Sequence, residues 1–84
     1  MPYRVDITPG ALRDLARLPR HVRPRVSAAI DALEVNPRPP GVRKMRGFDN
    51  QYRIRVGDYR VIYEIHDNVL LVLVVEVGNR RDVY

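Results

Sequence analysis

The sequence contains no cysteine, so no disulfide framework holds the fold and no thiolate takes part in its chemistry. Small secreted domains commonly rely on such staples. Histidine is scarce as well, with only His21 and His66, and Lys44 is the single lysine. No set of histidines and carboxylates has the look of a metal site, so neither a metal nor a cofactor is expected. Long apolar runs are missing too. The longest, Val69 to Val75, falls far short of the roughly 20 residues that cross a bilayer. The N-terminal stretch Met1 to Asp6 lacks the apolar core of a secretory signal. These absences predict a cytoplasmic protein with no membrane association. No repeat, low-complexity stretch or internal linker divides the chain, so residues 1–84 are expected to form one domain.

What is present is a basic chain able to build a core, with 45% hydrophobic and 30% charged residues and a net charge of +5. The charge is uneven. Residues 37–60 carry Arg38, Arg43, Lys44, Arg46, Arg53, Arg55 and Arg60 against Asp49 and Asp58, which is net +5. Residues 1–36 are net +2 and residues 61–84 net −2. The middle third reads as a patch for a polyanion, or else as a solubilising face.

Apolar spacing gives the element order. Tyr3, Val5 and Ile7 alternate along a short strand. Thr8 can cap a helix whose first residue, Pro9, loses no needed hydrogen bond. Leu12, Leu15, Ala16 and Leu18 form that helix's stripe, and Pro19 ends it. A second helix is expected from about His21 to Asn36, on Val22, Val26, Ala29, Ile30 and Leu33, with Pro24 in its first turn and Asn36-Pro37 as its stop. A Pro-rich loop and the basic run Arg43-Lys44-Met45-Arg46 follow. Tyr52, Ile54 and Val56 then alternate with arginines. Gly57-Asp58 makes a two-residue hairpin turn, and Tyr59, Val61, Tyr63 and Ile65 alternate beyond it. Asp67-Asn68 reads as a second tight turn of residues that tolerate positive φ. Val69 to Val77 is apolar almost throughout and is expected to be a central strand covered on both faces. The fold class is α+β, in the order β-α-α-β-β-β. A two-helix hairpin packs on one face of a mainly antiparallel four-stranded sheet.

The Gly57-Asp58 turn fixes the register. Val56 lies opposite Tyr59, Arg55 opposite Arg60, Ile54 opposite Val61, and Arg53 opposite Ile62. Tyr52, Ile54, Val56, Tyr59, Val61 and Tyr63 then share the face that packs on the helices. Arg53, Arg55 and Arg60 share the other. Like charges placed directly opposite destabilise a strand pair by a few tenths to about 1 kcal/mol. A fold with no use for this opposition would more cheaply place Thr or Glu at one position, so the cost favours a phosphate site over decoration, the alternative being relief of the repulsion by solvent and nearby Glu64.

The segments Lys44-Met45-Arg46-Gly47, Tyr52-Arg53-Ile54-Arg55-Val56, Gly57-Asp58-Tyr59-Arg60-Val61-Ile62-Tyr63 and Val77-Gly78-Asn79-Arg80 occur in that order. Upstream stand Leu15-Ala16-Arg17-Leu18-Pro19 and Asn36-Pro37. Together they resemble the RelE/ParE superfamily of toxins from toxin–antitoxin pairs, over nearly the whole chain. RelE-like members are endoribonucleases, most of which cut mRNA in the ribosomal A site. ParE-like members poison DNA gyrase on the same fold. Carried over by motif, the resemblance to the RelE-like branch implies a catalytic set of Arg53, Arg55, Arg60, Arg80 and Tyr84. Arg81 is an alternative for the place of Arg80. Arg43, Lys44, Arg46 and Arg81 are further candidates for holding RNA. The implied partners are mRNA, the ribosome through its 16S rRNA, and a cognate antitoxin.

RNA can be cut without metal when the 2′-hydroxyl attacks the adjacent phosphate. The step needs in-line geometry, a base near the 2′-oxygen, charge stabilisation on the phosphorane and an acid for the 5′-oxygen. His21 and His66 fall far apart in the topology, with no evident carboxylate to orient them. Arginines therefore bear the charge stabilisation. Arg60 can clamp the scissile phosphate through its planar fork, with Arg53 and Arg55 on the flanking backbone. RelE-like enzymes often have lysines at those two positions. An arginine that stays protonated is a poor base, which leaves Tyr84 as the candidate. Its ordinary pKa of about 10 would be lowered by neighbouring arginines. The competing readings are a gyrase inhibitor, which would tolerate loss of Arg60 or of the Tyr84 hydroxyl, and a non-catalytic nucleic-acid-binding module.

Overall fold

The computed structural model describes residues 2–47 and 49–79. Its elements are strand β1 (Arg4–Ile7), helix α1 (Pro9–Ala16), helix α2 (Arg23–Ala32), strand β2 (Arg43–Lys44), strand β3 (Gln51–Val56), strand β4 (Tyr59–His66), a short 3-10 turn (Asp67–Val69) and strand β5 (Leu71–Asn79). The five strands form one sheet in the order β1-β5-β4-β3-β2. Only the β1–β5 pair is parallel. The expected α+β layering is present, with one strand more than the sequence pattern suggested. Arg43 and Lys44, expected only as part of a basic run, pair with Arg53 and Tyr52 at the sheet edge.

Thr8 starts α1 as anticipated, because its Oγ1 accepts the backbone N–H of Ala11 at 3.2 Å. At the other end, Arg23 Nη2 donates to the carbonyls of Ala16 and Leu18, at 3.1 and 3.2 Å. A helix leaves its last carbonyls without partners, and this side chain supplies one. Regular α2 is shorter than the expected span. Beyond Ala32 the chain tightens, with Leu33, Glu34 and Val35 each bonding three residues back, to Ile30, Asp31 and Ala32.

The core lies between the helices and one sheet face. Ala11, Val26 and Leu33 are fully buried against Val61, Tyr63, Val72 and Val74. Leu12, expected in the apolar stripe of α1, is instead 53% exposed. Among the described residues, no helix is long and apolar enough to cross a membrane.

The second turn and last strand differ from the sequence reading. Asp67 to Val69 form a 3-10 turn, and the residue with positive φ is Leu70, at 52°. The Leu70 N–H donates to Asp67 O and its carbonyl accepts from Arg4 N–H, so both ends of the strained residue are tied. Strand β5 therefore begins at Leu71, buries Val72, Val74 and Val77 on the helix side, and leaves Leu71, Leu73 and Val75 only half-buried. Among the described residues it is fully covered on one face and only partly on the other.

The pairing of β5 with β4 also slips. Tyr63 pairs with Val74, but Ile62 pairs with Glu76, so Val75 is an extra residue. Without that bulge, strict alternation would turn Glu76 into the core, where an unpaired carboxylate costs several kcal/mol. With it, Glu76 faces out and Val77 faces in. Helix α1 satisfies the backbone groups that the bulge displaces. Thr8 Oγ1 donates to Val75 O at 3.4 Å, and Asp14 Oδ2 accepts the Val77 N–H at 3.1 Å.

Candidate phosphate-binding site

The β3–β4 hairpin turns at Gly57, whose φ of 60° suits a residue without a side chain. Its register is the expected one: Val56 faces Tyr59, Arg55 faces Arg60, Ile54 faces Val61, and Arg53 faces Ile62. The tyrosines and aliphatic residues pack on the helices. The arginines project from the open face.

Strand β2 adds a fourth guanidinium, because Arg43 pairs directly with Arg53. Arg43, Arg53, Arg55 and Arg60, with Gly41 and Ile54, line one concavity of about 270 Å³. Among the described residues, no carboxylate lines it. Arg55 is exposed, whereas Arg53 and Arg60 are half-buried. The Arg60 Nε is shielded from water. Ile62, on the same open face, is only 6% exposed. The bulge in β5 sets Gly78 opposite Arg60, so the position directly across from that arginine carries no side chain. A dianion or a polyanion backbone fits this arrangement, since four forked donors can share its oxygens.

Of the other sequence candidates, Lys44 and Arg46 are exposed on the flank and do not line the concavity. Arg80, Arg81 and Tyr84 lie outside the described residues. His66 does have a carboxylate neighbour, contrary to the sequence reading: its Nε2 is 2.8 Å from Glu64 Oε1. That pair sits at the far end of β4, six residues or about 20 Å of strand from Arg60. Among the described residues, no group of three or more histidines and acids could hold a metal ion.

Sequence reasoning missed the network that holds the Pro-rich loop. Arg38 donates to both carboxylate oxygens of Asp67, at 3.2 and 2.9 Å. Tyr3 Oη donates to Asp67 Oδ1 at 2.6 Å. The same guanidinium reaches Tyr52 Oη at 3.4 Å and lies 5.2 Å from the Tyr52 ring centre. Tyr52 stacks on Tyr63, whose buried hydroxyl donates to Pro37 O at 2.7 Å. The guanidinium, then the Tyr3 hydroxyl, hold the Asp67 carboxyl down at about 2. Burial pushes the Tyr63 phenol up. The loop so anchored runs on to Gly41 and Arg43, one wall of the concavity. Arg38 looked like part of the basic patch, yet its charge is committed to Asp67.

Residues 5–84 match the family model described as the ParE toxin of the type II toxin–antitoxin system parDE. Toxin RelG of Mycobacterium tuberculosis is 35% identical, over 100% of this chain and 98% of that protein. The mRNA interferase toxin RelE of Escherichia coli is 29% identical, over 96% of this chain and 86% of that protein. In the crystal structure of the archaeal RelE–RelB complex from Pyrococcus horikoshii, the matched chain superposes with a TM-score of 0.83 at 33% identity. The match covers 95% of this chain and 97% of that one. With the layering, the hairpin register and the arginine-lined concavity already in place, these matches make the chain a member of the RelE/ParE superfamily of type II toxins.

Proposed function

We propose that this toxin is an endoribonuclease of the cytoplasm that cuts mRNA in the ribosomal A site and is silenced by a cognate antitoxin. The convergence of Arg43, Arg53, Arg55 and Arg60 on one concavity carries the reading. Relatives named mRNA interferases, and RelE chains solved with RelB antitoxins, support it. Arg60, held half-buried near the start of β4, clamps the scissile phosphate. Arg53, Arg55 and Arg43 grip the flanking backbone. The 2′-oxygen attacks the phosphorus, its proton passing to a base, for which Tyr84 is the candidate. The 5′-oxygen leaves with a proton, which gives a 2′,3′-cyclic phosphate and a 5′-hydroxyl. The arginines stabilise the extra negative charge of the phosphorane and leave no step that calls for a metal. A charge-bearing site with a weak base needs its substrate presented in line, which the ribosome would do.

Primer extension on messages in a translating extract tests this reading. New 5′ ends that appear with the wild type and vanish with Arg60→Ala support it, and an unchanged pattern with the wild type overturns it. The ParE description of the matching family model favours a second reading, gyrase inhibition. That reading predicts loss of supercoiling activity and trapped double-strand breaks, both retained in Arg60→Ala.

A further inference from the structure

The open face of the sheet continues past the arginines, and its other half carries a different set of groups. Along β4 the outward residues are Arg60, Ile62, Glu64 and His66, since Val61, Tyr63 and Ile65 belong to the core on the helix side. Glu64 stands directly between Leu73 on β5 and Gln51 on β3, and Asp6 on β1 extends that row. His66 stands beside Leu71, and Arg4 extends this second row. Arg4 is the one guanidinium of the two rows. It is spent on Asp6, with Nη2 2.7 Å from Oδ2. This end of the face therefore has little with which to hold a phosphate.

What it offers suits a nucleobase. His66 Nε2 lies 2.8 Å from Glu64 Oε1, so the two part-buried side chains fix each other. Glu64 Oε2 meets no donor among the described residues. The half-buried Leu71 and Leu73 give an apolar floor beside the pair. Unpaired bases are recognised by stacking on aromatic rings, histidine included, and by hydrogen bonds along the Watson–Crick edge. A carboxylate offers two acceptor oxygens. Guanine is the base that presents two neighbouring N–H donors on that edge, N1–H and N2–H, with the O6 acceptor next to them. Gln51 is the cross-strand neighbour of Glu64, with Cβ atoms about 5 Å apart, and its amide can turn an N–H toward O6.

We propose that Glu64, Gln51 and His66 form a base subsite, which takes a guanine of the same RNA strand whose phosphates the arginines hold. Glu64 is four residues from Arg60, roughly 13 Å of strand. The guanine so placed lies beyond the two nucleotides that flank the cut. The Glu64 charge also repels phosphate from this end, which turns the base edges of the strand inward. The concavity supplies affinity without sequence, and the base subsite supplies the choice. The inference rests on the reading of the toxin as RNA-directed, but its readout is binding, not cleavage.

The test measures binding of the full chain to 2′-O-methyl oligouridines of about eight nucleotides, a common span for a single-strand groove. Each strand carries one internal guanine, inosine or adenine, and the blocked 2′-oxygens prevent cleavage. The guanine strand is expected to bind about tenfold more tightly than the adenine strand. Inosine, which lacks the 2-amino group, should fall between them. Glu64→Gln, which turns one acceptor into a donor, should bind the three strands alike. Asp31→Asn removes an exposed acid on α2 and should keep the wild-type ranking. Arg55→Gln should weaken all three strands by a similar factor and leave the ranking intact. A wild type that binds guanine and adenine strands equally, or binds none of them, overturns the proposal. So does a ranking that survives Glu64→Gln or is lost in Asp31→Asn. Loss of the antitoxin complex in Glu64→Gln, with no guanine preference in the wild type, would overturn it in favour of a protein partner on this face. Failure of the nuclease reading would appear separately, as missing RNA ends in the translating extract with the guanine preference retained.

Discussion

Arg55 and Arg60 face each other directly across the β3–β4 pair, two like charges where a neutral partner would be more stable. Replacing one of them separates stability from function. Arg55→Thr is expected to raise stability by a few tenths to about 1 kcal/mol. The same change should lower message cleavage by on the order of tenfold, about 1.4 kcal/mol of transition-state stabilisation. Urea unfolding and end mapping on one preparation check both signs. A variant that neither gains stability nor loses activity would show that the opposition carries no cost and no use.

Asp14 holds the end of β5 from the helix layer. Asp14→Ala leaves the Val77 N–H without its acceptor, and should cost about 1–3 kcal/mol. Asp14→Asn keeps an acceptor oxygen and should recover most of that deficit. The comparison of urea midpoints at equal m-values is decisive.

Asp67 sets an acid dependence of known sign. Its folded carboxyl is held down at about 2, from an ordinary value of 3.8, by Arg38 and then Tyr3. A depressed carboxyl contributes stability that is fully present above its unfolded pKa and is lost as pH falls through the folded one. The stability gap between wild type and Asp67→Asn should therefore be constant above about pH 5 and shrink between about pH 4 and 2. Denaturant titrations at each pH measure it. A gap that widens as the solution is acidified would contradict the ion pair.

Tyr63→Phe keeps the ring stacked on Tyr52 but removes the donor to Pro37 O. The buried carbonyl is then unsatisfied, at a cost of about 1–3 kcal/mol. Amide exchange should rise first in the loop that follows Pro37 and precedes Arg43.

The hairpin was legible in the sequence because Gly57-Asp58 fixes parity locally, and parity alone puts Arg53, Arg55 and Arg60 together. Other features depend on choices made at a distance. The bulge at Val75 is decided by the cost of burying Glu76 and by acceptors and donors on α1, none of which strand alternation encodes. Arg38 and Asp67 are 29 residues apart, so their pairing had no local sign. The apolar run at Val69 and Leu70 looked like strand, but Asp67 holds those residues in a turn.

The odd residue in β5 acts as a phase inverter. Upstream of Val75, even-numbered positions point toward the helices; downstream, odd-numbered ones do. Flattening the bulge with Val75 kept would aim Glu76 at the helices and swing Gly78 away from Arg60, whereas deleting Val75 would leave both where they are. A one-codon deletion at Val75 would thus spare the register of the hairpin arginines and remove the carbonyl that Thr8 Oγ1 meets.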